Sequence, residues 1–243
     1  SMKLMDRDTG ETSLLNIGRT SLLSCTAWWM MAIVVVGGHT RNIGKTSVVA
    51  GLIAALPEMH WTAFKVTQFG HGMCSANGEP CDCETAEHTI AVSEERAGGD
   101  STTDSGRYLA AGAVHSFWVR TRQGDLSEAM PRIRKEIAHA ENVIIESNSI
   151  LRFLRPDLYL SVLDPETADF KESAKYFLDR ADAVLVAEGE LGRPEWKGVS
   201  LKLVEGTPVL AMRPPVYVTD EVVEFVRTRL RTGLVVSAQV AST

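Results

Sequence analysis

The residues with the clearest chemical potential in this sequence are Gly44, Lys45 and Thr46. They close the segment IVVVGGHTRNIGKTS at residues 33–47, in which an apolar strand-like run leads into a glycine-containing loop. In such a loop the backbone N–H groups and the positive end of the following helix surround a polyphosphate. The lysine reaches the terminal phosphates and the hydroxyl ligates Mg²⁺. The segment therefore predicts a nucleotide site, and the alternative is a chance Gly-Lys-Thr at a strand-to-helix turn.

The expected ligand is ATP or GTP with Mg²⁺. Lys45 would stabilise charge on the β and γ phosphates, while the backbone N–H groups of the loop hold the remaining oxygens. We expect the nucleotide to contact Gly38, Arg41, Asn42, Ile43, Gly44, Lys45, Thr46 and Ser47.

The spacing of the loop departs from the usual G-x-x-x-x-G-K-[ST], because His39 stands where the first glycine is expected. Gly38 lies one residue earlier, which leaves five residues between it and Gly44. This longer loop resembles that of dethiobiotin synthetase and related P-loop enzymes, a branch that also contains cofactor-assembly factors. The resemblance implies a P-loop NTPase fold.

Strand-like and helical segments alternate along the chain. The strands are expected at residues 33–36, 60–68, 114–121, 142–149, 157–164, 183–189 and 207–214, and the helices at 47–56, 126–140, 169–181 and 219–230. This order predicts an α/β fold with a doubly wound, mostly parallel sheet and helices on both faces. Ligands of such a sheet lie beyond the carboxyl ends of its strands.

The length and net charge of the chain limit the number of domains and the kinds of partner that we expect. The 243 residues suit one α/β domain at residues 31–243, with a cysteine-containing insertion at about 69–106. Residues 1–30 are expected to be an extension, either a mis-set start or an arm that packs Trp28 and Trp29 on the domain. The net charge of −6 argues against nucleic-acid and membrane partners. The apolar run at 22–36 is short for a membrane span, so we expect a cytoplasmic protein.

Glu146 is the strongest candidate for a second catalytic residue beside Lys45. It ends the apolar run Val143-Ile144-Ile145, so its carboxylate should emerge at the same sheet edge as the phosphate loop. There it could hold Mg²⁺ together with Thr46 and orient a nucleophile. The alternative is a solvated acid at a strand end. Asp164 could do similar work, although the neighbouring Pro165 indicates a simple turn.

A polar segment at residues 100–113 could bind a second substrate. Its Asp104 and Arg107, together with Lys65 on the second strand, are the expected substrate residues. The Asp-Ser-x-Arg run that leads to Ala-Gly-Ala resembles molybdopterin-guanine dinucleotide biosynthesis protein B. The alternative places Asp104 as a helix cap and Arg107 on the surface.

The same resemblance extends over residues 33–146 and implies a role in cofactor assembly. In that family a lysine-histidine strand end precedes the Asp-Ser-x-Arg segment, and this chain offers Lys65 with His71 nearby. Glu146 stands where the family has a Glu-Gly pair, whereas Asn148 and Ser149 depart from the family pattern.

A cluster of cysteines provides possible ligands for zinc. Cys74, Cys81, Cys83 and His88 follow the spacing C-x6-C-x-C-x4-H, which supplies enough donors for a tetrahedral site. The spacing matches no usual paired C-x-x-C ribbon. Reduced thiols in a solvated loop and a disulfide are the alternatives.

Three functions are compatible with these motifs. The first is a Mg²⁺-dependent NTPase that assists maturation of a molybdopterin-type cofactor or a metal centre, with a cofactor-biosynthesis protein as partner and a homodimer as the expected assembly. The second is an ATP-dependent small-molecule ligase or kinase of the dethiobiotin synthetase type. The third is a metal-responsive nucleotide-binding module without significant turnover. The segment MRPPVY at residues 212–217 could form a wall of the base pocket or a plain turn.

Overall fold

The computed structural model describes residues 31–69, 90–96, 102–192, 194 and 196–240. Its eight strands are β1 Ile33–Gly38, β2 Trp61–Phe69, β3 Ile90–Glu94, β4 His115–Arg122, β5 Asn142–Glu146, β6 Leu158–Leu163, β7 Ala183–Ala187 and β8 Val209–Met212. The predicted extension at 1–30 and the cysteine cluster lie outside the described residues.

The strands form one sheet in the order β3-β4-β2-β5-β1-β6-β7-β8. All neighbouring strands are parallel except β3, which pairs antiparallel with β4. The register places Glu146 opposite Val36 on one side and opposite Lys65 on the other. The carboxyl ends of β1 and β5 and the middle of β2 therefore meet at one edge, where the predicted phosphate loop at residues 38–46 begins.

Helices cover both faces of this sheet, as the alternation predicts. They are α1 Lys45–Ala55, α2 Asp104–Ala110, α3 Leu126–Ile137, α4 Glu172–Lys175 and α5 Asp220–Val240. Successive residues of β1 point to opposite faces and enter different cores. Val34 and Val36 pack with α1, α2 and α5. Val35 packs with α3 and α4. The fold is thus α/β, with a doubly wound, mostly parallel sheet and helices on both faces.

The predicted helix at residues 169–181 is wrong in extent. Only the four residues Glu172–Lys175 form an α-helix, and Leu178–Arg180 form a short 3₁₀ turn. The start is delayed because Phe170 is buried against His39 and Trp196. Lys171 is extended, with φ of −65° and ψ of 141°. Tertiary contacts here override the helical pattern.

The sequence pattern predicts no strand in the cysteine-containing insertion at about 69–106, yet β3 lies within it. This strand has only five residues, IAVSE, and is too short to stand out in the sequence. It lies at the edge of the sheet, where a strand pairs with a neighbour on one side only.

None of the helices in the described part of the chain has the length and apolar character that a membrane span needs.

Candidate functional site

The phosphate loop joins β1 to α1 through two residues with left-handed backbone. Asn42 has φ of 57° and Gly44 has φ of 94°. A Cβ on Gly44 would lie 2.3 Å from Cε1 of Tyr217, so both the backbone angle and the space require glycine. Val48 N–H donates to Gly44 O at 2.9 Å and starts the helix directly behind the loop. The free N–H groups of its first turn therefore face the sheet edge.

Asn148 fixes the start of the loop from the neighbouring strand end. Its Oδ1 accepts from Gly38 N–H at 3.0 Å, and its Nδ2 donates to Gly38 O at 2.8 Å. A Cβ on Gly37 would lie 2.1 Å from this Oδ1, so the glycine permits the contact. Asn148 thus holds both backbone polar groups of Gly38, a role that the sequence alone did not indicate.

His39, the residue in place of the usual glycine, is fully buried beneath the loop. Asp164 N–H donates to its Nε2 at 3.0 Å, so the ring proton is on Nδ1, which donates to Asp169 O at 2.7 Å. The ring also packs on Phe170 and Trp196, with centroids 4.9 and 5.2 Å away. Burial lowers the pKa of His39 and keeps it neutral. His39 therefore connects the loop to the segment at residues 164–170 and to Trp196.

We expect His39→Ala to lower the free energy of unfolding by about 2–5 kcal/mol, because it removes two buried hydrogen bonds and leaves a cavity. Urea denaturation would measure the change. The matched control is His139→Ala, since His139 is exposed at the end of α3. Equal stability of the two variants would contradict the structural role of His39.

Lys45 is the first residue of α1 and its side chain reaches back over the loop. Its Nζ donates to Thr40 O, and Thr40 Oγ1 in turn donates to Asp169 Oδ2 at 2.5 Å. Burial lowers the pKa of Lys45, and the nearby Glu146 carboxylate opposes this change. A phosphate oxygen is a stronger acceptor than a backbone carbonyl, so this ammonium is well placed to bind a phosphate.

Glu146 is buried at 3% exposure and is the centre of the polar cluster. Its carboxylate accepts from Thr46 Oγ1 at 2.8 Å, from Lys65 Nζ at 2.6 Å and from the Tyr108 hydroxyl. Burial alone would raise the pKa of Glu146, but the ammonium groups of Lys65 and Lys45 outweigh burial and hold it below its ordinary value. The alternative of a solvated acid is therefore wrong.

Two of the three residues predicted to bind a second substrate, Lys65 and Asp104, also lie in this cluster. Lys65 Nζ contacts Asp104 Oδ2 at 2.6 Å as well as Glu146. Burial would lower the pKa of Lys65, but the two carboxylates outweigh it and raise the pKa. Arg107 is exposed and donates to Ser47 Oγ at 3.0 Å. Thr103, rather than Asp104, caps α2 by accepting from Gly106 N–H at 3.0 Å.

The donor set at Thr46 and Glu146 fits Mg²⁺. Both supply oxygen, and Mg²⁺ prefers one or two protein oxygens plus phosphate oxygens and waters. Over the described residues there is no group of three or more His, Cys, Asp or Glu side chains that could hold a metal by itself. Asp164 is less suited, because its carboxylate accepts from Glu166 N–H at 3.0 Å and Thr167 Oγ1 at 2.6 Å within its own turn.

Several residues of the site escaped sequence reasoning. Tyr108 lies one helical turn after Asp104, so the spacing i, i+4 could have indicated it. Lys171 gives no such signal, because a contact across 132 residues brings it to the loop, where its N–H donates to His39 O. The remaining predicted loop residues are Arg41 and Ile43. Ile43 is buried beside Gly38, and Arg41 is half-buried.

No protein-family model matches this sequence, and no curated protein is detectably similar to it. Two solved structures are similar to this chain in part of their backbone fold. HypB from Helicobacter pylori in complex with nickel is 13% identical with a TM-score of 0.46, covering 84% of this chain and 89% of that one. The "apo" form of LpxK from Aquifex aeolicus in complex with ATP is 18% identical with a TM-score of 0.40. That match covers 68% of this chain and about half of LpxK, 52%.

Proposed function

We propose that this protein binds a nucleoside triphosphate with Mg²⁺ on its phosphate loop and hydrolyses or transfers the terminal phosphoryl group. One observation carries the proposal. Lys45, Thr46 and Glu146 meet at one end of the parallel strands, with Thr46 Oγ1 at 2.8 Å from Glu146 Oε2. A loop followed by a helix, a lysine and a hydroxyl-carboxylate pair are the parts that phosphoryl transfer requires.

Each residue has a distinct role in this proposal. Lys45 binds the terminal phosphates, and the N–H groups at the start of α1 bind the other phosphate oxygens. Thr46 would hold Mg²⁺, and Glu146 would accept a hydrogen bond from one of its waters. The metal, when bound, neutralises charge on the phosphates. Lys65 and Tyr108 fix the orientation of the Glu146 carboxylate.

A groove beside the loop suits the nucleoside. It has a volume of about 440 Å³ and is lined by Ser47, Gly51, Arg107 and the segment 215–218. The groove supports the expectation that residues 212–217 form a wall of the base pocket. Tyr217 provides an aromatic face next to Gly44, and such faces stack with bases of any kind.

Tyr217→Ala should weaken binding of ATP and GTP by about tenfold, which corresponds to the loss of one base-aromatic contact. Binding of inorganic tripolyphosphate should stay within about twofold of the wild type, because the loop itself is unchanged. Calorimetric titration of all three ligands would check this. Tyr176→Ala is the control, since Tyr176 is 66% exposed and remote from the groove. An equal loss for tripolyphosphate would contradict the placement of the base.

The biological role that we propose is assistance in maturing a molybdopterin-type cofactor or a metal centre. It is supported by the resemblance of residues 33–146 to molybdopterin-guanine dinucleotide biosynthesis protein B, and in particular by Asp104 and Arg107 beside the loop. A cofactor-biosynthesis protein and a second copy of the chain remain the proposed partners. A zinc site at the cysteines is a separate proposal outside the described residues.

Phosphate release from ATP and GTP, with and without Mg²⁺, tests the proposed reaction. Mg²⁺-dependent hydrolysis by the protein alone supports the NTPase. Release that requires an added carboxylic acid or alcohol supports the ligase or kinase alternative. Binding of nucleotide with no release under any of these conditions would overturn the proposed turnover and favour a nucleotide-binding module.

A further inference from the structure

The segment at residues 164–171 follows β6 and is fixed to the phosphate loop. Asp169 O accepts from His39 Nδ1 at 2.7 Å, and Asp169 Oδ2 accepts from Thr40 Oγ1 at 2.5 Å. The N–H of Lys171 donates to His39 O at 2.8 Å. These three contacts join Asp169 and Lys171 to His39 and Thr40 at the start of the loop. The backbone of Lys171 therefore lies beside the loop, although 132 residues separate it from His39 in the sequence.

The order of the strands determines on which side of the loop Lys171 lies. β1 has β5 on one side and β6 on the other. Lys65 and Glu146 come from β2 and β5, on the first side. Lys171 follows β6, on the second. The loop after β1 is therefore flanked by the Lys65–Glu146 pair and by Lys171.

The side chain of Lys171 is half-buried and forms no ion pair or hydrogen bond with any described residue. Lys175, one turn later, differs because it pairs with Glu172 at 2.8 Å. Asp169 attracts the Lys171 ammonium, but its carboxylate is engaged with Thr40, and the neighbouring Glu172 pairs with Lys175.

The charges that surround Lys171 are mostly positive. Burial, followed by the cations Lys45 and Arg41, lowers the pKa of Lys171 to about 8, and Lys65 acts in the same direction. Half-buried like charges repel one another unless an anion lies between them. A triphosphate in the loop would supply that anion.

We propose that Lys171 contacts the terminal phosphoryl group of the bound nucleoside triphosphate, from the side opposite Lys65 and Glu146. This inference rests on the proposed function and adds a second cation to Lys45. A nucleoside diphosphate lacks the group that Lys171 contacts. The chain thereby distinguishes triphosphate from diphosphate and stabilises the charge of the terminal phosphoryl oxygens during its transfer.

The first test compares Lys171→Met with Lys175→Met by calorimetric titration. The ligands are non-hydrolysable analogues of ATP and GTP, and ADP and GDP, all with Mg²⁺. For Lys171→Met we expect about 10- to 100-fold weaker binding of the triphosphate analogue, the loss of one charged hydrogen bond. Binding of the diphosphate should change by less than about twofold. Lys175→Met should bind both as the wild type does, and Lys171→Arg should restore most of the preference.

The second test uses chemistry that does not depend on turnover. Lysines of the wild-type protein are acylated with an N-hydroxysuccinimide ester, and the extent at each lysine is measured by mass spectrometry. The triphosphate analogue should slow acylation of Lys171, whereas the diphosphate should not. Lys175 should react equally with either ligand.

The outcomes separate the inference from the function on which it rests. Unchanged triphosphate binding by Lys171→Met, an equal loss of triphosphate and diphosphate binding, or no protection of Lys171 would overturn the inference alone. A wild-type protein that binds no nucleotide would overturn the proposed function and the inference with it.

Discussion

Replacing Lys45 with alanine should abolish tight binding of ATP and GTP, with a loss of at least about 100-fold in affinity. The ammonium lies over the loop, where it donates to Thr40 O, and α1 contains no other basic residue. Loss of charge at this point leaves the β and γ phosphates without their main cation. Burial lowers the pKa of Lys45, yet a bound polyphosphate would stabilise its charged form.

Titration calorimetry of Lys45→Ala against the wild type measures this effect, with Mg²⁺ present. Lys135→Ala is the matched control, because Lys135 is exposed on α3, far from the loop in the fold. Thermal unfolding of both variants would show that each is folded. Retained affinity and turnover in Lys45→Ala would contradict the assignment of the loop.

Replacing Glu146 with glutamine should reduce Mg²⁺-dependent phosphate release by about 100- to 1,000-fold, the range for loss of one preorganised electrostatic group. Glutamine keeps the size of the side chain but removes its charge. The carboxylate that accepts from Thr46 and Lys65 becomes a neutral amide, which holds the metal-bound water less strongly. Nucleotide binding without Mg²⁺ should change little, since the loop and Lys45 remain.

The control for this variant is Glu141→Gln, at the opposite end of β5. Glu141 pairs with His60 at 2.8 Å, and both side chains are exposed, so its loss should matter little. Phosphate release with varied Mg²⁺ would compare the two proteins. Equal turnover by Glu146→Gln and wild type would show that Glu146 has no part in the chemistry.

Sequence reasoning was strongest where the signal is local. The strand, loop and helix around Lys45 are contiguous, so hydrophobic pattern and motif together predict them. Glu146 was found because a charged residue directly after a buried strand must emerge at the sheet edge. The strand register explains the contact between Lys65 and Glu146, which their spacing in the sequence does not predict. Lys65 and Glu146 are opposite one another in neighbouring parallel strands, and they form one ion pair.

The remainder of the site depends on contacts between distant residues. The contacts of His39 with Asp164 and Asp169 cross 125 and 130 residues, and the clamp from Asn148 crosses 110. A single sequence contains no pattern for such contacts. They also explain why the helix expected at 169–181 starts late. The extended backbone there carries Phe170 into the core and Lys171 to the loop.

The most direct test of the central claim is calorimetric titration of the wild-type protein with ATP and with GTP, each with and without Mg²⁺. The account predicts saturable binding at one site per chain that Mg²⁺ strengthens. A preference for one nucleotide would identify the base that the groove beside Tyr217 accepts. Absence of binding by both nucleotides, with and without Mg²⁺, would contradict the account.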